Sequence, residues 1–380
     1  MAVWLANQGH SVHVVTAPPY YPEWKIWQGY SGWQYQKESI EGVMVYRCPI
    51  WVPKQPTGLK RLIHLATFAL SSAPVILSHI FWRADVVWVV TPAFFTVPTA
   101  LLTAKLSGAK SWVHIQDFEI DAAFDLGIIK GKYLKSVVSG MESWILKQFD
   151  IVSTISNRMM ERLISKGISS EKSVLFPNWA NITTKVQEII PTGIRDELKI
   201  PHNAIIALYS GNMGAKQGLE ILASVAEALA NHNNLYFVFC GNGVGRTQLD
   251  ELCAGLGNVR LMDLQPLDKY ADLMSTADVH LLPQRADAAD LVLPSKLTAM
   301  LASGKPVIAT ALSGTEIAHV IKECGVIVPP ENPMLFADAL ISLVDNTELR
   351  ATMGKAARIY AETYLDKEGV LAAFESSLKK

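Results

Sequence analysis

Ile205-Ile206-Ala207-Leu208-Tyr209-Ser210-Gly211-Asn212-Met213-Gly214-Ala215-Lys216-Gln217-Gly218-Leu219-Glu220 is the stretch whose reading decides the fold. An apolar run of strand-forming residues ends at Ser210, glycines follow at 211, 214 and 218, and a helical pattern starts where they stop. A strand that ends in a glycine turn and feeds a helix is the repeating unit of a doubly wound α/β domain. The turn suits an anion. Glycine lets backbone N–H groups approach a phosphate, the helix start adds partial positive charge, and Lys216 can place a full charge on a diphosphate. The plainer alternative is a glycine-rich turn with a solvated lysine. It is neither a Walker loop nor G-x-G-x-x-G, so ATPase and dehydrogenase readings lose support.

Outward from this point, short apolar runs alternate with helical stretches along nearly the whole chain. That pattern predicts parallel sheets covered by helices on both faces. Strands are expected at 12–16, 43–46, 86–90, 110–114, 151–154 and 173–176, then at 205–210, 236–240, 259–262, 279–282, 307–309 and 326–328. The two sets imply two Rossmann-like domains, at 1–180 and 201–365. The stretch 177–201 is rich in Pro, Asn, Thr and Ile without clean periodicity, so 181–200 is read as a linker, and 366–380 as a terminal helix. Length agrees, since 380 residues exceed one core and fit roughly two domains of about 150 to 200 residues. A doubly wound domain normally opens on its central strand. This chain opens on a helix, at 2–7, stopped by Gly9, so the first strand with its glycine turn is expected to be missing.

Further candidates sit at strand ends. Cys240-Gly241-Asn242-Gly243-Val244-Gly245 follows a strand and opens a helix. It is read as a tight connection or as part of a donor cleft. Leu282-Pro283-Gln284-Arg285 leads to Leu293-Pro294-Ser295-Lys296-Leu297, where Pro294 and Ser295 mark a helix start with free N–H groups. Arg285 and Lys296 can neutralise leaving-group charge. Asp287 and Asp290 are read equally as sugar-binding or solvated acids. Gln265 is counted with these donor-side residues. In the first half, the strand at 110–114 ends in His114-Ile115-Gln116-Asp117-Phe118-Glu119-Ile120-Asp121, where this architecture places ligands. His114 can hydrogen-bond a sugar or phosphate, and Asp117, Glu119 or Asp121 can orient an acceptor hydroxyl; a satisfied histidine beside a solvated acidic loop is the alternative. Tyr20 and Tyr21 belong to an aromatic stretch running through Trp24, Trp27, Tyr30, Trp33 and Tyr35. Its rings suit stacking on carbohydrate, insertion at a lipid interface, or packing over a sheet edge.

Composition narrows the classes. With 34 basic against 35 acidic residues the formal charge is -1, so no global positive field attracts nucleic acid and any anion site is local. Cys48, Cys240, Cys253 and Cys324 lack ligand spacing, which suggests neither zinc nor a disulfide framework and fits a reducing cytoplasm. No secretory signal is visible in the first ten residues. The stretch 62–82 has no Lys, Arg, Asp or Glu and approaches a bilayer span, but polar residues and Pro74 interrupt it. After Lys54, Lys60 and Arg61 it reads better as an interfacial helix or a plain core helix than as a span.

Taken together, these residues resemble the family 4 retaining glycosyltransferases, and within them the bacterial colanic acid and exopolysaccharide fucosyltransferase type. The resemblance rests on Ala17-Pro18-Pro19-Tyr20-Tyr21-Pro22, Val52-Pro53-Lys54-Gln55-Pro56, His114-Ile115-Gln116-Asp117, Val152-Ser153-Thr154-Ile155-Ser156, Phe176-Pro177-Asn178-Trp179, Tyr209 to Asn212 with Lys216 to Glu220, and Leu293 to Thr298. It covers nearly the whole chain. It implies a GT-B fold with two domains facing a cleft, a nucleotide sugar on the C-terminal side, a lipid-linked saccharide acceptor on the N-terminal side, and a last helix crossing back to the first domain. Lys216 with the Gly211 loop would hold the diphosphate, and His114 would lie beside the donor sugar. The resemblance further implies same-face transfer without a dedicated base, no cofactor or metal, a GDP-fucose donor, and work at the inner face of the cytoplasmic membrane. Asn212 and Ala299 depart from the family pattern, which often has arginine and a ribose-binding glutamate there. A nucleotide-sugar epimerase on the same fold and a non-catalytic scaffold of an exopolysaccharide complex are the competing readings.

Overall fold

The computed structural model describes residues 1–21, 23–55, 58–91, 94–118, 131–180, 182, 193–214, 217–285 and 294–378. The chain forms two compact units, one of Met1–Phe176 with Leu371–Lys380 and one of Pro177–Val370.

Within the second unit, six parallel strands, β8 (Ile205–Ser210), β9 (Leu235–Cys240), β10 (Val259–Met262), β11 (Val279–Leu282), β12 (Val307–Thr310) and β13 (Gly325–Val328), take the order β10-β9-β8-β11-β12-β13. This is the doubly wound order, with the first strand central and a reversal beside it. Side chains alternate between two cores. Ile206, Leu208, Val238 and Val307 enter one, while Ala207, Tyr209, Phe237, Phe239 and Ile308 enter the other. Burial on both faces is why these strands read as unbroken apolar runs. Covering them are α7 (Glu220–Ala228), α8 (Arg246–Leu252), α9 (Leu267–Thr276), α10 (Ser295–Ala302), α11 (Glu316–Ile321), α12 (Pro333–Asp345) and α13 (Thr347–Tyr364). Thr315, Asn332 and Asn346 cap the last three helices by accepting from the N–H three residues on. The end of the expected linker is built into this unit: the short helix α6 (Gly193–Glu197) buries Ile194, and Arg195 ion-pairs Asp278 at 3.0 Å.

Strands of the first unit fall into two sheets. One has β1 (His13–Thr16), β2 (Gln36–Ile40) and β3 (Val43–Arg47) in the order β1-β3-β2, and the other has β4 (Val86–Thr91), β5 (Lys110–Ile115), β6 (Ile151–Thr154) and β7 (Ser173–Leu175) in sequence order. Both β1 and β4 therefore end a sheet. Residues 86–90 are all apolar yet only half-buried, whereas 111–115 of the neighbouring β5 are buried. A strand paired on one side leaves its other edge uncovered. Helix α1 (Ala2–Asn7) precedes β1, and α2 (Gly58–Ser78), α3 (Val97–Ser107), a helix α4 at Lys132–Lys147 and α5 (Asn157–Ser165) complete the unit. The last helix, at Lys367–Leu378, brings Phe374 onto Trp112, Phe176 and Trp88 at ring distances of 4.8, 4.7 and 5.9 Å.

Strand β2 was not expected from the sequence. It is polar (QKESI), pairs antiparallel with β3, and reaches it through Glu41-Gly42, both at positive φ (48° and 83°). The plain core-helix reading of α2 fails, because His64 and Ser72 are its only buried residues while Leu59, Leu62, Ile63 and Leu70 are exposed. The run Gly58–Trp82 is the one helix among the described residues long and apolar enough to cross a membrane by length and composition.

Candidate active site

In the second unit the two glycine turns are laced together. Met213 N–H donates to Asn242 O at 2.9 Å, Gly245 N–H to Met213 O at 2.8 Å, and Gly211 N–H to Cys240 O at 3.0 Å. This closeness requires glycine. A Cβ on Gly241 would stand 2.0 Å from Gly211 O, and one on Gly243 2.6 Å from Met213 O. The Gly214 position is tight against the Gln217 side chain at 2.9 Å. Sequence reading missed Arg246, whose guanidinium donates to Gly241 O and Met262 O at 2.8 and 3.0 Å and pairs with Asp250. An arginine directly after a glycine turn was the available signal.

From α10, Lys296 reaches back to the end of β8. Its Nζ donates to the Tyr209 hydroxyl at 3.0 Å and sits 4.4 Å from that ring's centre. The Tyr209 hydroxyl in turn donates to Asn212 O at 2.7 Å. A Cβ on Gly211 would lie 3.6 Å from the amine, so the ammonium stands against the first turn. Burial pushes Lys296 down to about 8 and raises the Tyr209 phenol. Ser295 is exposed at the start of α10, which has no side-chain cap. Arg285 lies against Gly218 and pairs with Glu220 at 3.1 Å. Gln265 donates to Asp263 O at 3.0 Å on the loop after β10. Thus Gly211, Asn212, Gly214, Gly241, Gly243 and Lys296 come together, with Arg285 on the flank of the first turn. Lys216, Leu293, Asp287 and Asp290 lie outside the described residues.

In the first unit His114 is 1% exposed. Its Nδ1 is 2.8 Å from Ser153 Oγ, which also accepts from Trp112 Nε1 at 2.8 Å, and its Nε2 is 2.8 Å from Gln116 Nε2. Trp88 and Phe176 flank the ring. Burial drives its pKa down to about 4, so the imidazole is neutral at physiological pH. Both nitrogens are engaged. Asp117 is half-buried two residues beyond β5, and Glu119 and Asp121 lie outside the described residues. Among the acceptor-side aromatics, Tyr20 contacts His64 Nε2 through its hydroxyl at 3.1 Å, and His64 Nδ1 is 2.6 Å from Trp51 O. Tyr20 fastens its loop to α2, whereas Tyr21 is 60% exposed and open to a ligand.

A doubly wound unit with two glycine turns laced together at its strand ends, preceded in the same chain by another α/β unit, is the architecture of the GT-B glycosyltransferases. Residues 192–360 match the model of glycosyl transferases group 1, and residues 1–179 match that of the glycosyl transferase 4-like domain. A relative named for colanic acid biosynthesis, the glycosyl transferase WcaI of Escherichia coli (strain K12), is 40% identical across all of this chain and 94% of its own length. The chain belongs to this glycosyltransferase family. Among solved structures, sucrose-phosphate synthase of Thermosynechococcus elongatus superposes with a TM-score of 0.74 at 17% identity, over 100% of this chain and 90% of that one. Anabaena HepE in complex with UDP-glucose gives 0.63 at 15% identity, over 87% and 86%. Both share the fold.

Proposed function

We propose that this glycosyltransferase moves a sugar, with retention, from a nucleoside diphosphate sugar held by the second unit to a lipid-linked saccharide during exopolysaccharide assembly. One observation carries the donor assignment: the ammonium of Lys296 is held by the Tyr209 hydroxyl and stands against the glycine turn at Gly211. A cation held partly out of water is what a diphosphate leaving group needs, since partial water exclusion strengthens its pull. Colanic acid, named in the E. coli relative, sets the pathway class, and GDP-fucose is the donor the sequence resemblance suggests. Lys216 and Arg285 would add charge at the same phosphates.

Catalysis on this reading is positioning and charge stabilisation, with the departing phosphate oxygen taking the acceptor's proton and no resident cofactor or metal taking part. His114, neutral and held at both nitrogens, acts by shape and dipole beside the sugar. Tyr21, Asp117, Glu119 and Asp121 would serve the acceptor. The exposed apolar α2, which carries Lys60 and Arg61 in its first turn, would lie on the inner face of the cytoplasmic membrane and bring the lipid-borne acceptor within reach.

A thermal-shift screen of nucleotide sugars tests this. A ligand at 100 times its dissociation constant adds about 2.7 kcal/mol to the folded state, so the true donor raises the melting temperature of the wild type. Gly241→Ala, whose Cβ would collide with Gly211 O, should abolish that rise. A panel without any shift, or a shift unchanged in Gly241→Ala, would remove the donor assignment.

A further inference from the structure

Lys296 is an unusual cation. Burial lowers its pKa, and among the described residues no carboxylate pairs with it and its one hydrogen-bond partner is the Tyr209 hydroxyl. That hydroxyl is neutral, and its own proton goes to Asn212 O. The groups facing the amine are thus Tyr209 from β8 and the glycine backbone at 211. The other described cation of this turn, Arg285, is offset by Glu220, and the residue at 212 is an uncharged asparagine. A half-buried charge with no counter-ion among the described residues is costly to hold, and a site that keeps one is poised for an anion.

We propose that Lys296 supplies, from the start of α10, the principal charge on the donor's diphosphate that the neutral Asn212 leaves unfilled, and that diphosphate binding is coupled to proton uptake by its amine. This rests on the donor site proposed above. The coupling has a definite sign. An anion beside the amine favours its charged form, so the complex binds more protons than the free protein and affinity falls as pH rises. With a free amine near 8, affinity for a nucleotide sugar, whose diphosphate diester has no proton to lose in this range, should drop about sevenfold between about pH 7 and about pH 8.8.

Calorimetric titration of the whole chain with UDP-glucose and with GDP-fucose, in two buffers of different ionisation heat at both pH values, reads the effect. Wild type should take up a fraction of a proton at the higher pH and lose affinity there. Lys296→Met should bind roughly tenfold to a hundredfold more weakly with a flat pH profile and no proton uptake. Lys296→Arg, whose charge does not titrate in this range, should bind well at both pH values and take up no proton. Near-ultraviolet circular dichroism confirms that each variant is folded. Lys296→Met binding like wild type, or a wild type that binds without proton uptake or pH slope, would overturn the role of Lys296 and leave the donor site standing. Failure of both nucleotide sugars to bind wild type would overturn the donor site and this inference with it.

Discussion

Replacing Lys296 by methionine should make the nucleotide-free protein more stable. Burial displaces the amine from its ordinary 10.5 to about 8. At about 1.4 kcal/mol per pH unit, this opposes folding by roughly 3 kcal/mol near neutral pH. The folded pKa lies below the unfolded one, so the unfolded chain holds the proton more tightly. The penalty is therefore complete below about pH 8, shrinks as pH rises toward 10.5, and is absent above it. Methionine keeps the side-chain length without the charge, and it leaves the Tyr209 hydroxyl without its donor, which costs about 1 kcal/mol. A net gain of about 2 kcal/mol near pH 7 remains. Urea unfolding of wild type and Lys296→Met, repeated from neutral to alkaline pH, measures it. A variant less stable than wild type at neutral pH, or a gain that does not fade as pH rises, would refute the claim that the amine is held uncompensated.

Other outcomes follow from buried groups and exposed faces. Lys166 and Glu142 form a buried ion pair at 2.6 Å, with the ammonium 5.3 Å from the Phe118 ring. Lys166→Ala should destabilise the fold by about 1 to 3 kcal/mol by taking the counter-charge from beside a buried carboxylate, and urea titration showing a loss under about 0.5 kcal/mol would contradict it. Acid should weaken the fold, since His114 and His280 are depressed by burial to about 4 and about 3. Both stay neutral when folded, so their contribution is whole above the ordinary 6.5 and declines as pH falls from there through about 4; a urea midpoint that holds steady over that window would count against this. The protein should float with anionic vesicles at low salt and less so at high salt, and replacing Leu62, Ile63 and Leu70 by serine should release it. Equal flotation by that triple variant would dissociate α2 from membrane binding.

Strands buried on both faces were legible because each is a short apolar run between turn residues, and the expected positions at 151–154, 205–210, 259–262 and 279–282 coincide with the observed ones. Strand β2 was hidden by its polar, half-exposed side chains, although Glu41-Gly42 before Val43 was a two-residue hairpin signal. Glycine turns could be read locally, but their mutual contact, Gly241 against Gly211, depends on residues 30 positions apart and is invisible to spacing. The same holds for Lys296 folding back 87 positions onto Tyr209. His114 was found as a strand-end histidine, while its seal needed Phe176 and its partner Ser153 came from a neighbouring strand. Long-range packing decides whether a polar residue is presented or enclosed, and one sequence does not encode that as a pattern.

Nucleoside diphosphate release from a panel of nucleotide sugars, followed with and without a lipid extract bearing saccharide acceptors, together with the anomeric configuration of the product by nuclear magnetic resonance, decides between transfer with retention and its rivals. Release that requires the acceptor and conserves the donor's configuration is the predicted result. Conversion of a donor sugar to its epimer without any acceptor, or an inverted linkage in the product, would contradict it.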